Sequence, residues 1–173
     1  RAFLGTNSTP HSAGPATTPV ASQLSLRRLG TDSSNPYLLH WRDRKPLAAT
    51  MEALQKLKAE RKIRHYGVSN LDTDDMEELW RTPGGPLAQV NQVYYNPAAR
   101  GIEFDLLPWQ RTHRVPIMAY SPVDQARLAG DKTLAAIGQP PHHTPPTSPL
   151  ARGLRHPAPT GIPHAAQPRP SPP

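Results

Sequence analysis

Several short apolar runs in this sequence lead directly into side chains that can hydrogen-bond or stack on a flat ligand. In chain order these side chains are His40, Trp41, Ser69, Asn70, Gln92, Tyr120 and Ser121. Carboxamides and hydroxyls offer both hydrogen-bond donors and acceptors, and an aromatic ring offers a flat apolar face. Two interpretations stay open: these are turn residues, or they form a ligand site at the carboxyl edge of a parallel sheet.

The elements that must position these side chains alternate along the chain. Apolar runs predict strands near residues 2–4, 37–40, 64–68, 90–94 and 116–120. Helices are predicted between them, most clearly over residues 45–62, where Leu47, Met51, Leu54 and Leu57 recur at helical spacing. This alternation predicts parallel strands joined by crossover helices. Polar residues at the carboxyl ends of successive parallel strands are typical of the active-site face of a (β/α) barrel.

The composition favours a single core and excludes several classes of protein. The chain has 173 residues, a formal net charge of +7 and no cysteines, so it has neither a disulfide framework nor thiolate chemistry. Basic residues do not cluster with aromatic residues on one element, and nucleic acid is therefore not an expected partner. No apolar run is long enough for a transmembrane helix, and the first residues lack a secretory signal pattern. We expect a cytoplasmic protein with no membrane partner.

The last part of the chain differs from the rest. Residues 138–173 hold 12 of the 23 prolines and no acidic residue. Because such a composition cannot bury a core, we predict one domain over residues 1–137 and a disordered, proline-rich tail over residues 138–173. The PxxP spacing in "PPHHTPP" would suit an SH3 or WW partner, but it is common in any proline-rich tract. The tail histidines at 142, 143, 156 and 164 are separated by prolines and predict no metal site.

Four motifs, in this order and spacing, resemble the aldo/keto reductase family. They are "SLRRLGTD…YLLHW", "KIRHYGVSNL", "VNQVYYNP" and "IMAYSP", and the resemblance covers residues 20–137. It implies a (β/α)8 barrel that binds NADPH across its rim and reduces small carbonyl compounds. The expected fold class is therefore α/β, a partial TIM barrel with roughly strands 3 to 7 of the complete fold, and the expected function is that of an oxidoreductase.

The resemblance assigns two residues to the substrate side of the site. His40 matches the active-site histidine that orients the substrate carbonyl, and Trp41 matches a tryptophan that lines the substrate pocket. Tyr94 and Tyr95, by contrast, are expected to be structural residues that pack against the helices.

Five residues are assigned to the cofactor. Ser69, Asn70 and Gln92 match the side chains that hydrogen-bond the nicotinamide carboxamide. Tyr120 matches the tyrosine that stacks on the nicotinamide ring, and Ser121 begins the loop that runs under the pyrophosphate. Fixing the carboxamide and covering one ring face would select the face that delivers the hydride.

Other parts of the family's pattern are not matched. The catalytic tyrosine and aspartate of the family belong to early strands for which this chain has no room, and the nearest register places Ala2 at the position of the catalytic lysine. His40 is then the one matched member of the acid–base group, and the loop that binds the NADPH 2′-phosphate is not found. We expect weak NADPH binding and no measurable NADPH-dependent reduction of small aldehydes by this chain, because most of the catalytic group is not matched. The alternatives are a non-catalytic remnant or pseudoenzyme and, less favoured, a proline-rich interaction protein.

Smaller departures predict a loss of stability. Arg61 and Arg114 stand where the family ends helices with glycine, and Pro36 falls where an internal strand should begin. An incomplete barrel would also leave two strand edges unpaired, so we expect self-association through those edges.

Overall fold

One parallel sheet organises the protein in its computed structural model, whose described residues are 6–9, 12, 14–34, 36–42, 45–122, 124, 127 and 160–161. Its strands are β1 (Thr6–Ser8), β2 (Tyr37–Leu39), β3 (Tyr66–Ser69), β4 (Asn91–Tyr94), β5 (Ile117–Tyr120) and β6 (Thr160–Gly161). Their order in the sheet is their order in the sequence, and neighbouring strands are parallel throughout. The predicted α/β class with parallel strands is confirmed.

In the described part of the chain, four α-helices connect successive strands of this sheet. They are α1 (Thr17–Leu29), α2 (Leu47–Ala59), α3 (Thr73–Arg81) and α4 (Leu106–His113), and short 3₁₀ helices occupy Gly85–Leu87 and Gly101–Glu103. The start of α3 is fixed by Asp72, whose carboxylate accepts a hydrogen bond of 2.9 Å from the Asp75 N–H. The end of α1 is fixed by Gly30, which has a left-handed φ of 62°.

Helix α4 differs from its prediction in one respect. The sequence predicts a helix interrupted by Pro108, but Pro108 lies in the first turn of α4, where a backbone N–H has no intrahelical partner to lose. The segment before it forms the separate 3₁₀ helix Gly101–Glu103 and an N-cap at Asp105, whose side chain accepts a hydrogen bond from the Leu106 N–H. Pro108 therefore does not interrupt α4.

The two faces of the sheet have different neighbours because successive strand residues point in opposite directions. One face packs on the helices. Its strand residues are Tyr37, Leu39, Tyr66, Val68, Val93, Ile117 and Ala119, and the helix residues against them include Leu47, Met51, Leu54, Leu57, Met76, Leu79, Leu106 and Leu107. Together these buried side chains form the core of the protein.

The opposite, inner face carries Leu38, Gly67 and Val90 at its base. Leu38 and Val90 are 2% and 7% exposed. A Cβ atom added to Gly67 would lie 2.5 Å from the Val90 carbonyl oxygen and 3.0 Å from Leu38 Cδ2. The absence of a side chain at Gly67 therefore leaves room for the Val90 backbone and the Leu38 side chain. Together these residues close the base of the face that carries the polar residues described below.

Strand β1 occupies a stretch that the apolar pattern did not predict as a strand. The predicted strand at 2–4 falls outside the described residues, and β1 instead occupies the polar stretch Thr6–Ser8. Main-chain hydrogen bonds to the β2 region determine this register: the Thr6 N–H donates to Pro36 O at 3.0 Å, and the His40 N–H donates to Ser8 O at 2.9 Å. Pro36 precedes β2, and its carbonyl is used in pairing, so it removes no donor from the strand itself.

Part of the region predicted to be a tail contributes to the sheet. Within it, β6 pairs in parallel with β5, with Thr160 opposite Ile117 and Gly161 opposite Met118. The proposed PxxP ligand and the four tail histidines lie outside the described residues. In the described part of the chain, no helix is long and apolar enough to cross a membrane.

Candidate active site

The predicted site residues lie together at the carboxyl edge of the sheet. His40 follows β2, Ser69 ends β3, Tyr120 ends β5, and Gln92 in β4 is the register partner of Ser69. Because all the strands are parallel, these positions converge at one edge although they are far apart in the sequence. Ser69 is the last residue of β3 and Asn70 follows it, and the side chains of both residues form hydrogen bonds within this cluster.

Asn70 connects the ends of several strands. Its Nδ2 donates to the His40 carbonyl oxygen at 2.9 Å and to Ser69 Oγ at 3.1 Å, and its Oδ1 accepts from the Tyr120 hydroxyl at 2.9 Å. Its backbone N–H donates to the Gln92 carbonyl at 2.8 Å. Asn70 has a left-handed φ of 57°, a conformation that asparagine tolerates better than most residues. It therefore links β2, β3, β4 and β5 at the site.

Gln92 accepts side-chain hydrogen bonds from residues of two other strands, β3 and β1. Ser69 Oγ donates to its carbonyl oxygen at 2.8 Å, and its side-chain Oε1 accepts from Asn7 Nδ2 at 3.4 Å. Asn7 lies in β1 and was not predicted as a site residue. The predicted correspondence of Ala2 with a catalytic lysine falls outside the described residues, and β1 itself contains no lysine. The apolar pattern gave no signal for Asn7, because β1 is a polar strand.

His40 and Trp41 form a ring pair at the edge of the site. Their ring centroids are 4.2 Å apart at an interplanar angle of 49°. Trp41 is 46% exposed, and His40 is half-buried. Among the described residues, the His40 imidazole has no hydrogen-bond partner.

The chain after Trp41 is tied to α3 by ion pairs. Arg42 Nη1 donates to Asp75 Oδ1 at 2.9 Å, and the guanidinium also binds both carboxylate oxygens of Glu78, with Nη2 and Oε1 2.9 Å apart. These contacts raise the pKa of Arg42, the hydrogen bond to Glu78 contributing most. They hold the segment that carries His40 and Trp41 against a helix of the outer layer.

The structure contradicts the role predicted for Tyr94, while Tyr95 lies where it was expected. Tyr95 is 5% exposed and belongs to the core beside the helices. Tyr94 is 40% exposed and lies on the inner face, two residues after Gln92. Its ring lies 5.5 Å from that of Tyr120, at an interplanar angle of 33°. Strand periodicity alone could have placed Tyr94 on the face of Gln92.

The segment after β5 has an unusual backbone. Ser121 and Asp124 have left-handed φ values of 51° and 47°, which are uncommon for residues other than glycine. The Ser121 carbonyl accepts from the Asp124 N–H at 2.9 Å and from Asn96 Nδ2 at 3.1 Å. The Asp124 carboxylate accepts a short hydrogen bond from the Tyr94 hydroxyl and lies 3.8 Å from the Arg127 guanidinium. The loop predicted to begin at Ser121 is thus held by side chains from β4 and the turn after it.

The Tyr120 hydroxyl is a neutral hydrogen-bond donor at the site. Burial raises the pKa of Tyr120, and the neighbouring Tyr94 raises it further, so the Tyr120 hydroxyl stays protonated and donates to Asn70. In the part of the chain that the structure describes, no cluster of three or more histidine, aspartate or glutamate side chains could hold a metal ion.

Comparisons with known proteins identify relatives of this chain. Methylglyoxal reductase YeaE of Escherichia coli (strain K12) is 48% identical over 126 residues, which are 73% of this chain and 44% of that protein. The NADH-specific methylglyoxal reductase of the same organism is 36% identical over 113 residues, covering 63% of this chain and 34% of that protein. The chain thus spans less than half the length of these two relatives.

A solved structure shows the same fold. The crystal structure of an aldo-keto reductase from Klebsiella pneumoniae in complex with NADPH superimposes with a TM-score of 0.90 at 46% identity, covering 95% of this chain and 60% of that one. The model of the aldo/keto reductase family matches residues 16–158. This match runs past residue 137, and the domain boundary placed there stays a prediction. Because the family model matches most of the sequence and the fold superimposes on a solved reductase, this chain belongs to the aldo/keto reductase family.

Proposed function

We propose that this chain forms the cofactor-binding side of an NADPH-dependent oxidoreductase that reduces small carbonyl compounds. The observation that carries the proposal is the network around Asn70, which brings His40, Ser69, Gln92 and Tyr120 to one edge of the sheet. The Klebsiella structure contains NADPH, and two E. coli relatives are named for methylglyoxal, so the relatives support the same reaction class.

The groups at this edge fit the nicotinamide end of the cofactor. A carboxamide needs an acceptor for its NH2 group and a donor for its oxygen, which the side-chain amides of Asn70 and Gln92 can offer. The buried Ser69 hydroxyl supports them, because it donates to the Gln92 carbonyl and accepts from Asn70. Asn70 Oδ1 accepts one hydrogen bond, from Tyr120, and retains a second lone pair for a ligand. The half-buried Tyr120 ring offers a flat face beside these groups. The cofactor, when bound, supplies the hydride, and the protein positions it.

His40 and Trp41 are proposed to receive the substrate. The His40 imidazole has no partner among the described residues and is available to a carbonyl oxygen, while the exposed Trp41 ring provides an apolar wall beside it. A pocket of this kind suits a small carbonyl compound, and a 2-oxoaldehyde such as methylglyoxal is the substrate class that we propose to test first.

Cofactor binding is tested by titrating NADPH into the 173-residue chain in a calorimeter. We expect weak, saturable binding, because the chain offers the nicotinamide contacts without the family's loop for the 2′-phosphate. Gln92→Ala should weaken binding by roughly three- to tenfold, the value of one hydrogen bond. Gln89→Ala is the matched control, because Gln89 is an exposed glutamine at the other end of β4. Absence of NADPH binding, or equal effects of the two variants, would contradict the proposal.

Catalysis is tested separately by following NADPH consumption at 340 nm with methylglyoxal. We expect no turnover by residues 1–173 above that of a His40→Ala variant, because no lysine lies in β1 to tune an acid at the site. General acid catalysis contributes roughly 10²–10⁴ to the rate. Turnover above that variant would show that His40 contributes to the reaction, and it would favour an active enzyme over the non-catalytic alternative.

Two further points belong to this proposal. A cytoplasmic location is consistent with an NADPH-dependent reductase. Self-association is supported by β1, which has only one partner strand among the described residues and so presents an unpaired edge. Sedimentation velocity over a range of concentrations should show larger species at higher concentration, and a single monomeric boundary throughout would contradict self-association.

A further inference from the structure

Tyr94 lies beside the proposed cofactor residues, although the motif that contains it was expected to give this tyrosine only a packing role. It shares the inner face with Gln92, and its ring is packed at 5.5 Å against the ring of Tyr120. At 40% exposure it contributes little to the core, so its burial does not explain why a tyrosine occupies this position. Its polar contact is the short hydrogen bond that its hydroxyl donates to Asp124 Oδ1.

That hydrogen bond holds a backbone segment which is unfavourable by itself. Both Ser121 and Asp124 adopt left-handed conformations, and such residues persist where surrounding contacts determine the backbone. Two side chains supply those contacts. Asn96, which is 4% exposed, donates to the Ser121 carbonyl and anchors the start of the segment, and Tyr94 binds Asp124 three residues later.

We propose that Tyr94 is a positioning residue of the cofactor site: its hydroxyl holds Asp124, and thereby keeps Ser121 and the Tyr120 ring in place for the dinucleotide. This inference rests on the proposed function, because Tyr120 and Ser121 are the residues proposed to contact the nicotinamide ring and the pyrophosphate. Tyr94 acts through these neighbours and through its packing against Tyr120.

The orientation of the Asp124 carboxylate gives the contact a second consequence. Its Oδ1 is taken by Tyr94, and its Oδ2 faces the Arg127 guanidinium at 3.8 Å. Arg127 is 75% exposed at its side chain, so it has freedom to turn toward an anionic group. Fixing Asp124 therefore also keeps a positive charge beside the segment proposed to run under the pyrophosphate, where cations favour phosphate binding.

The chain contains a matched control for this inference. Tyr95 is the next residue, but it points to the opposite face, where its hydroxyl donates to Glu103 Oε1 at 2.7 Å. Tyr94→Phe and Tyr95→Phe each delete one hydroxyl and keep the ring. The first removes the hydrogen bond to Asp124, and the second removes the hydrogen bond to Glu103. Asp124→Asn keeps an acceptor oxygen for Tyr94, whereas Asp124→Ala removes it.

The experiment measures two quantities on the 173-residue chain and its variants: the dissociation constant for NADPH, and the hydrogen-exchange rate of the Asp124 amide, which donates to the Ser121 carbonyl. Tyr94→Phe and Asp124→Ala should each weaken NADPH binding about tenfold, which corresponds to about 1.4 kcal/mol. They should also accelerate the exchange of this amide about tenfold. Tyr95→Phe should change neither quantity, and Asp124→Asn should retain most of the affinity.

The double variant Tyr94→Phe/Asp124→Ala should bind NADPH no worse than either single variant, because both remove the same contact. Additive losses would overturn the inference, as would unchanged amide exchange in Tyr94→Phe. Faster exchange with unchanged affinity would overturn the cofactor role of Tyr94. If the unmodified chain binds no NADPH, the proposed function fails, and with it that role; the exchange data then still show whether Tyr94 holds Asp124.

Discussion

The ends of three helices provide a sensitive test of how this sequence stabilises its fold. Helices α1, α2 and α4 end in the same way, with a left-handed residue followed by a main-chain hydrogen bond that reaches back five positions. These bonds join Thr31 to Leu26, Lys62 to Leu57 and Val115 to Gln110, at 3.1, 3.0 and 2.9 Å. The left-handed residues are Gly30, Arg61 and Arg114, with φ values of 62°, 58° and 57°. The geometry is shared, but only α1 has the glycine that suits it.

We predict that Arg61→Gly and Arg114→Gly each stabilise the protein. A left-handed conformation costs a residue with a Cβ atom about 1–2 kcal/mol, and the greater freedom of glycine in the unfolded chain cancels about 0.5–1 kcal/mol of the gain. The net stabilisation should be about 0.5–1 kcal/mol for each change. Both arginine side chains are exposed and form no hydrogen bond or ion pair with any described residue, so the substitutions remove no contact. Since Arg61 and Arg114 end different helices, the two gains should add.

The assay is urea unfolding followed by circular dichroism, with thermal unfolding as a second measurement. The double variant should gain about 1–2 kcal/mol, and its Tm should rise by about 2–4 °C per kcal/mol. Arg61→Ala is the control, because alanine keeps the Cβ atom and should give little gain. Gly30→Ala is the reverse test: a Cβ there would have no neighbour within 4 Å, so any destabilisation reports the backbone conformation alone. Equal stabilisation by Arg61→Gly and Arg61→Ala would refute this reasoning.

Three other substitutions test the packing and charges of the fold. Gly67→Ala should cost about 1–3 kcal/mol in urea unfolding, because the new Cβ would lie 2.5 Å from the Val90 carbonyl oxygen and force strands apart; an unchanged midpoint would contradict this close approach. Arg42→Met should cost at most about 1 kcal/mol at low salt and less in 1 M salt, because its pairs with Asp75 and Glu78 are partly exposed; a loss independent of salt would point to packing instead. Burial raises the pKa of Tyr66 above 10.0, so its contribution to stability is fully present below pH 10 and is lost as the pH rises through the folded-state pKa. Tyr66→Phe should therefore reduce the alkaline loss of stability, and an identical pH profile in the variant would contradict that assignment.

The parts of the fold that the sequence predicted are those with strong periodic signals. Strands β2 to β5 are apolar runs at regular intervals, and the leucines and methionine of α2 recur at helical spacing, so their order and parallel arrangement followed from pattern alone. The same pattern located the carboxyl edge, because His40, Ser69 and Tyr120 each stand at the end of such a run. The order of strands β2 to β5, helix α2 and the carboxyl edge are determined by local sequence, so they can be predicted from one sequence.

Two of the remaining features depend on contacts between distant segments, and one was missed although local periodicity carries it. Strand β1 is polar and is recognised only through its hydrogen bonds to the β2 region, so Asn7 could not be predicted beside Gln92. Tyr94 and Tyr95 look alike in the sequence, yet the alternation of a strand sends their rings to opposite faces. Counting from Gln92 would have separated them. Ser121 and Asp124 adopt left-handed conformations although neither is a glycine, so the local sequence does not indicate this backbone. The conformation depends on the side chains of Tyr94 and Asn96.

The agreement between strand order and chain order has a consequence for cooperativity. Among the described residues, each strand hydrogen-bonds only to strands adjacent in the sequence, as repeats do in a solenoid. Stability in such an arrangement is close to a sum over individual βα units and the interfaces between consecutive units. Unfolding would then proceed inward from a terminal unit instead of in one concerted step, with β3 and β4 opening last. In a chain built this way, we also expect insertion, deletion and recombination to act on whole βα units.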